Sequence, residues 1–130
     1  MTETEEFQAA MLPRLRAADT ALHNGDAGPR KAMWSRTEPL TLFGAAMMTT
    51  GWPQIDATFD VLGGRFSDCT SFEIEVVAAG ASGDLAYLVA FEHTTASIGG
   101  DSPRPYSLRV TTIFRRERGD WKIIHRHADP

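Results

Sequence analysis

Two histidines, His125 and His127, stand one residue apart in the segment DWKIIHRHAD (Asp120 to Asp129) near the C-terminus. Side chains alternate along a strand, so both imidazoles are expected on one face with Trp121 and Ile123, about 7 Å apart. Three roles suit such a pair. One metal ion can take both rings, with His93 or Glu92 as a third ligand. Two ligands of one type without a fixed third spacing are a weak metal signature, so no metal and no other cofactor is assigned. The second role is acid–base chemistry, since an apolar cavity disfavours the charged imidazole and leaves a neutral ring able to accept a proton near pH 7. On that reading His125 is the candidate catalytic residue, with Asp129 or Glu92 orienting it. The third role is structural, both rings being satisfied by backbone or side-chain partners. No Ser or Cys nucleophile pairs with either ring, and Cys69, the single cysteine, reads as a small packing residue.

The groups that would hold a ligand follow from the neighbouring strands. Arg109 shares a face with Thr111 and Ile113; if that face is interior, its guanidinium needs an anionic partner. Glu92, Asp129 or a ligand carboxylate can supply one. Trp34, Phe43, Trp52, Phe59 and Tyr87 are candidate aromatic walls, with His127 and Trp34 shaping the mouth; plain core packing is the competing role for Trp34, Phe43 and Trp52. Tyr87 and Glu92 have opposite parity on one strand, so only one of them lines the cavity unless a bulge intervenes.

These residues must be positioned by a small set of elements. Phe7, Met11, Leu15, Ala18 and Leu22 recur every three or four residues and predict an amphipathic helix ending near Gly25. Pro13 falls inside it and is expected to kink the first turns or mark the true start. Pro29 suits a first helical position, giving a short second helix over 28–35. PLTLFG (Pro39 to Gly44) reads as a short strand and AAMMTTG as the loop after it. Ile55, Phe59, Leu62 and Phe66 predict a third helix over 53–66, its last turn weakened by Gly63 and Gly64. The period then changes to two. SFEIEVVAAG, LAYLVAFEHTTA, YSLRVTTIFRR and WKIIHRHA are joined by short turns, which implies an antiparallel meander. Three helices on one curved antiparallel sheet make an α+β domain.

The bulk numbers narrow the class. A chain of 130 residues fits one domain over 1–130, and burying roughly two-thirds of its unfolded surface leaves room for a core and a modest cavity. No apolar run is long enough to cross a bilayer, and the acidic start MTETEEFQAA has no basic and apolar leader. With a lone cysteine, the cytoplasm is the expected compartment. Residues 101–130 carry seven Arg/Lys against four Asp/Glu, but the whole chain has a net charge of −4, which argues against nucleic-acid binding.

The element order, MW on the second helix, LTLFG after it, and above all RVTTIFRRERGDWKIIHRHAD resemble the SnoaL-like group of the nuclear-transport-factor-2-like (cystatin-like α+β cone) superfamily. The ending Trp-x-x-x-His-x-His is also similar to the association (hub) domain of calcium/calmodulin-dependent kinase. The resemblance implies a cone with an internal small-molecule pocket, assembled as a homodimer through the outer sheet face. It implies no single chemistry, because the superfamily includes isomerases, cyclases, dehydratases, hydrolases and non-catalytic hubs. Ketosteroid isomerases use an Asp base just after the first strand and a Tyr on the first helix. Those positions fall here on Phe43 and Ala18, which cannot do that chemistry. The expectation is a small-molecule-binding domain, either an acid–base isomerase, cyclase or hydrolase acting on a small polar or anionic carbonyl compound, or a non-catalytic ligand-binding or oligomerisation module.

Overall fold

The computed structural model describes residues 1–130. Helix α1 (Glu3–Leu22) opens with a capping box: the Thr2 hydroxyl accepts from the Glu5 N–H and the Glu5 carboxylate accepts from the Thr2 N–H. Pro13 lies inside α1 without breaking it, so the helix tolerates one missing backbone donor. The reason is packing. Phe7, Met11, Leu15, Ala18 and Leu22 are all at most 4% exposed, and each large side chain of that stripe contributes roughly 1.5–3 kcal/mol. Phe7 meets Phe114 and Trp121 edge-on at 4.9 and 5.3 Å between ring centres, fastening α1 across the sheet.

Gly25, at φ 93°, turns the chain out of α1. Helix α2 (Gly28–Ala32) follows, with Pro29 in its first turn, and is shorter than the expected 28–35. The chain leaves it as an extended segment in which Trp34 bridges Ile123. Strand β1 (Thr41–Gly44) is followed by β2 (Met47–Thr50), so the expected loop AAMMTTG is a hairpin arm. Helix α3 (Trp52–Arg65) leads directly into β3 (Phe66–Ser82), then β4 (Leu85–Ile98), β5 (Arg104–Glu117) and β6 (Asp120–Asp129).

The six strands form one sheet in the order β2-β1-β6-β5-β4-β3. The long meander is antiparallel, as the short turns dictate, but β1 pairs with β6 in parallel. The sheet is therefore mixed rather than purely antiparallel. The helices pack on its concave side, giving the α+β architecture with a curved, unclosed sheet.

Two irregularities decide which side chains face the helices. In β3 the register shifts between Val76 and Ala78. In β6 Ile113 pairs with His125 while the next residue, Phe114, pairs with Ile123, leaving Ile124 as an extra residue. A β-bulge of this kind reverses the facing of everything beyond it. Trp121 and Ile123 point into the core, and after the bulge it is Arg126 that is buried while His127 is exposed.

Candidate functional site

The bulge relocates the histidine pair. His125 and His127 lie on the convex face, not inside the cone. The His125 Nδ1 is 2.6 Å from the Thr41 hydroxyl, and its ring meets Phe43 edge-on at 5.5 Å. Burial, and then the neighbouring His127, lower its pKa. Half-exposed His127 sits 3.6 Å from the Asp129 carboxylate. Arg109 is on the same outer face, its side chain 66% exposed, and pairs with Asp129 at 2.8 Å. It is not a cation trapped in a cavity, and the bland partner, Asp129, satisfies it. Tyr87 is 45% exposed on this face as well, while Glu92 is 6% exposed on the inner one; the parity choice between them falls to Glu92.

The aromatic candidates also separate. Phe59 borders the interior cavity, whereas Phe43 touches its edge at the β1–β2 hairpin and turns its ring to the outer face, toward His125 and His127. Trp34 is buried in the core, edge-on to Phe59 at 6.1 Å. Trp52 is half-buried at the edge of the core, away from the cavity lining, with the Arg36 guanidinium 3.4 Å above its ring. No group of three His, Cys, Asp or Glu side chains is placed to hold a metal ion.

Inside the cone there is a cavity of about 590 Å³, within the range typical of small-molecule sites. Its rim includes the exposed residues Ala45, Ala46, Val61 and Pro130, from the hairpin, α3 and the C-terminus. Leu22, Met47, Leu62, Phe66 and Leu108 make most of its wall apolar. Against that wall stand six inward polar groups: Asp19 of α1 and His23 at its C-cap, Arg30 of α2, Glu92 of β4, Tyr106 of β5 and Arg126 of β6, while Thr58 and Arg65 of α3 border the cavity nearer solvent.

They arrive there for local reasons. Asp19 and His23 continue the four-residue row Phe7, Met11, Leu15 and so occupy apolar-stripe positions of α1. Pro29 starts α2 and sets Arg30 inward. Glu92 and Tyr106 sit at even positions of β4 and β5, the inward parity shared by Ala90, Thr94, Val110 and Thr112. Arg126 joins them through the bulge.

The two ion pairs are unequal. Arg126 grips Glu92 with two parallel hydrogen bonds of 2.8 Å, the side chains only 10% and 8% exposed. Burial raises the Glu92 carboxyl, but the Arg126 charge and hydrogen bonds together outweigh it and hold the pKa below its ordinary value. Arg126 is raised for the reciprocal reason, Glu92 overcoming the burial that opposes its charge. Arg30 and Asp19 are served far worse. The Arg30 Nε is 3.5 Å from the nearer Asp19 oxygen, and neither the three guanidinium nitrogens nor Asp19 Oδ2 has a hydrogen-bond partner. Here burial wins on both sides: it pushes the Asp19 carboxyl up to about 6 against the pull of Arg30, and it lowers Arg30.

His23 and Tyr106 form a third unit. The His23 Nδ1 is 2.7 Å from the Asp19 carbonyl oxygen, an acceptor only, so Nδ1 carries the hydrogen and donates. That leaves the Nε2 lone pair to accept the Tyr106 hydroxyl, which is hydrogen-bonded to it. Burial lowers the His23 pKa, keeping the ring neutral. Burial also pushes the Tyr106 hydroxyl up to about 12, so it stays protonated. The Phe66 ring packs 4.3 Å from the His23 ring and stacks on Tyr106, fixing both planes. Asp19, His23, Arg30, Tyr106 and Arg126 were not singled out by sequence reasoning. The available signal was two polar residues at core positions of an otherwise apolar helical row.

The comparisons agree with this architecture. The family model described as a SnoaL-like domain matches residues 14–128. A candidate dehydratase of the NTF2-like family from Streptomyces avermitilis superposes with a TM-score of 0.78 at 17% identity, covering 98% of each chain. An NTF2-like protein of unknown function from Pseudomonas putida gives 0.75 at 22% identity, over 97% of this chain and 87% of the other. A ketosteroid isomerase-like protein from Erwinia carotovora atroseptica gives 0.74 at 19% identity, covering 95% of each. At these identities the likeness is one of fold. No curated protein sequence matches significantly. With 115 of its 130 residues spanned by the family model, the chain belongs to the SnoaL-like domain family.

Proposed function

We propose that the cavity binds a small organic molecule and that His23 and Tyr106 move a proton on it, in an isomerisation or a dehydration. The observation that carries this reading is the Tyr106 hydroxyl donating to a neutral His23 ring at the wall of a largely apolar cavity. Tyr106 alone is too weak an acid to exist as phenolate near neutral pH. Coupled to His23 it need not. Its oxygen takes a proton from a carbon next to a substrate carbonyl while its own proton passes to Nε2, and the electron pair moves onto the carbonyl oxygen. The imidazolium so formed keeps its Nδ1 donor bond to the Asp19 carbonyl, and the Glu92 charge favours it against the opposing Arg126 and Arg30 charges. Returning the proton to a neighbouring carbon completes an isomerisation; returning it to a departing hydroxyl completes a dehydration. The outer-face pair His125 and His127 takes no part.

The test is a panel of small enolisable ketones and β-hydroxy carbonyl compounds, followed by proton NMR in D₂O. Carbon-bound proton exchange or water loss is expected with wild type, and a drop of about 10²–10⁴-fold with His23→Gln and with Tyr106→Phe. Turnover unchanged by both substitutions overturns the assignment. Ligand binding without turnover anywhere in the panel would favour the non-catalytic module.

The outer face supports a homodimer. Val77, Leu85, Tyr87 and Phe91 are 36–58% exposed there and form an apolar surface of the kind that partners cover.

A further inference from the structure

Resting on the reading of the cavity as the ligand site, we propose that its natural ligand is a monocarboxylate with an apolar body, bound through Arg30. Arg30 is fully buried and borders the cavity, yet all three of its guanidinium nitrogens lack a hydrogen-bond acceptor. An arginine head carries five N–H donors in a planar fork that matches a carboxylate. Leaving such donors unmade on a buried side chain is costly, and Asp19, at 3.5 Å, does not make them. The other buried guanidinium, Arg126, is already taken by both oxygens of Glu92. Arg30 is thus the cation in the cluster with unused capacity.

Charge balance selects the class. Facing Asp19 and Arg30 are Glu92 from β4, Arg126 from β6, Tyr106 from β5 and His23 at the C-cap of α1; Arg65 of α3 also borders the cavity but is exposed to solvent and stands outside this buried cluster. With Asp19 ionised the cluster is neutral. With Asp19 protonated it carries one surplus positive charge, which a single carboxylate cancels and a dianion would overshoot. The Asp19 carboxyl, pushed up to about 6, takes that proton within reach of neutral pH. The apolar wall of Leu62, Phe66 and Leu108 suits a hydrocarbon ring or chain behind the carboxylate.

The experiment compares 2-naphthoate with 2-naphthamide, which share a body and differ in charge, by isothermal titration calorimetry at pH 5 and pH 7.5. Wild type should bind the acid at least about tenfold more tightly than the amide at pH 5, equivalent to about 1.4 kcal/mol. That preference should shrink at pH 7.5, where Asp19 competes for Arg30. Asp19→Asn should keep the full preference at both pH values. Arg30→Gln should abolish it while amide binding remains. Equal affinity for acid and amide in both wild type and Asp19→Asn overturns the carboxylate assignment and leaves the cavity reading intact, even if Arg30→Gln does not fold. Failure of wild type to bind either compound overturns both.

Discussion

Removing one partner of the buried Glu92–Arg126 pair is the perturbation with the largest calculable consequence. Both side chains are at most 10% exposed and share two hydrogen bonds of 2.8 Å. Glu92→Gln leaves Arg126 charged and buried with one weak acceptor, a change that costs about 3–5 kcal/mol. A domain of this size holds roughly 5–15 kcal/mol in all. With an unfolding entropy near 2.1 cal/mol/K per residue, 130 residues give about 0.27 kcal/mol/K, so the expected fall in Tm is about 11–18 °C. Replacing both charges, as Glu92→Met with Arg126→Met, removes the orphan and should cost much less than the sum of the single changes. The assay is thermal and urea unfolding followed by far-ultraviolet circular dichroism, on wild type, both singles and the double. Singles that each cost under about 1 kcal/mol and add in the double would refute the reasoning, since the pair would then behave as a solvated surface bridge.

The remaining predictions concern titration and the outer face. The folded-state pKa of Asp19 lies above its unfolded value, 3.8 rising to about 6, so the native state holds the extra proton between them. Wild-type stability should therefore fall, relative to Asp19→Asn, as pH rises from about 4 to 6, by on the order of 3 kcal/mol; urea unfolding at four pH values reads this. His125→Ala should leave cavity ligand affinity within about twofold of wild type in calorimetry, because that ring contacts Thr41 and Phe43 on the convex side. Phe91→Glu should shift the chain from dimer to monomer in analytical ultracentrifugation while leaving its thermal unfolding cooperative, because Phe91 is 36% exposed on that face.

The sequence and the fold agree where periodicity is strong. The α1 stripe from Phe7 to Leu22 and the alternation of the four long strands were legible, and with the resemblance they suffice for the α+β cone. The site was harder for three physical reasons. A bulge adds one residue without any compositional mark, so Ile124 silently sends His125 and His127 outward and Arg126 inward. The outer face is itself aromatic, with Tyr87 and Phe91, so an aromatic face was not a sign of the interior. Asp19 and His23 are polar residues in the row of Phe7, Met11 and Leu15, and polarity alone does not mark a helix position as buried. AAMMTTG reads as a loop in sequence because a four-residue strand is too short to establish a period.

The central claim is that the ligand site lies inside the cone beside Asp19, His23, Arg30 and Tyr106. Methyl-labelled NMR tests it most directly, with Leu22, Met47 and Leu108 reporting the cavity and Val89 and Ile113 the convex face. Titration with 2-naphthoate and 2-naphthamide should perturb the first three methyl sets and leave the last two unmoved. Perturbation confined to Val89 and Ile113 would contradict it.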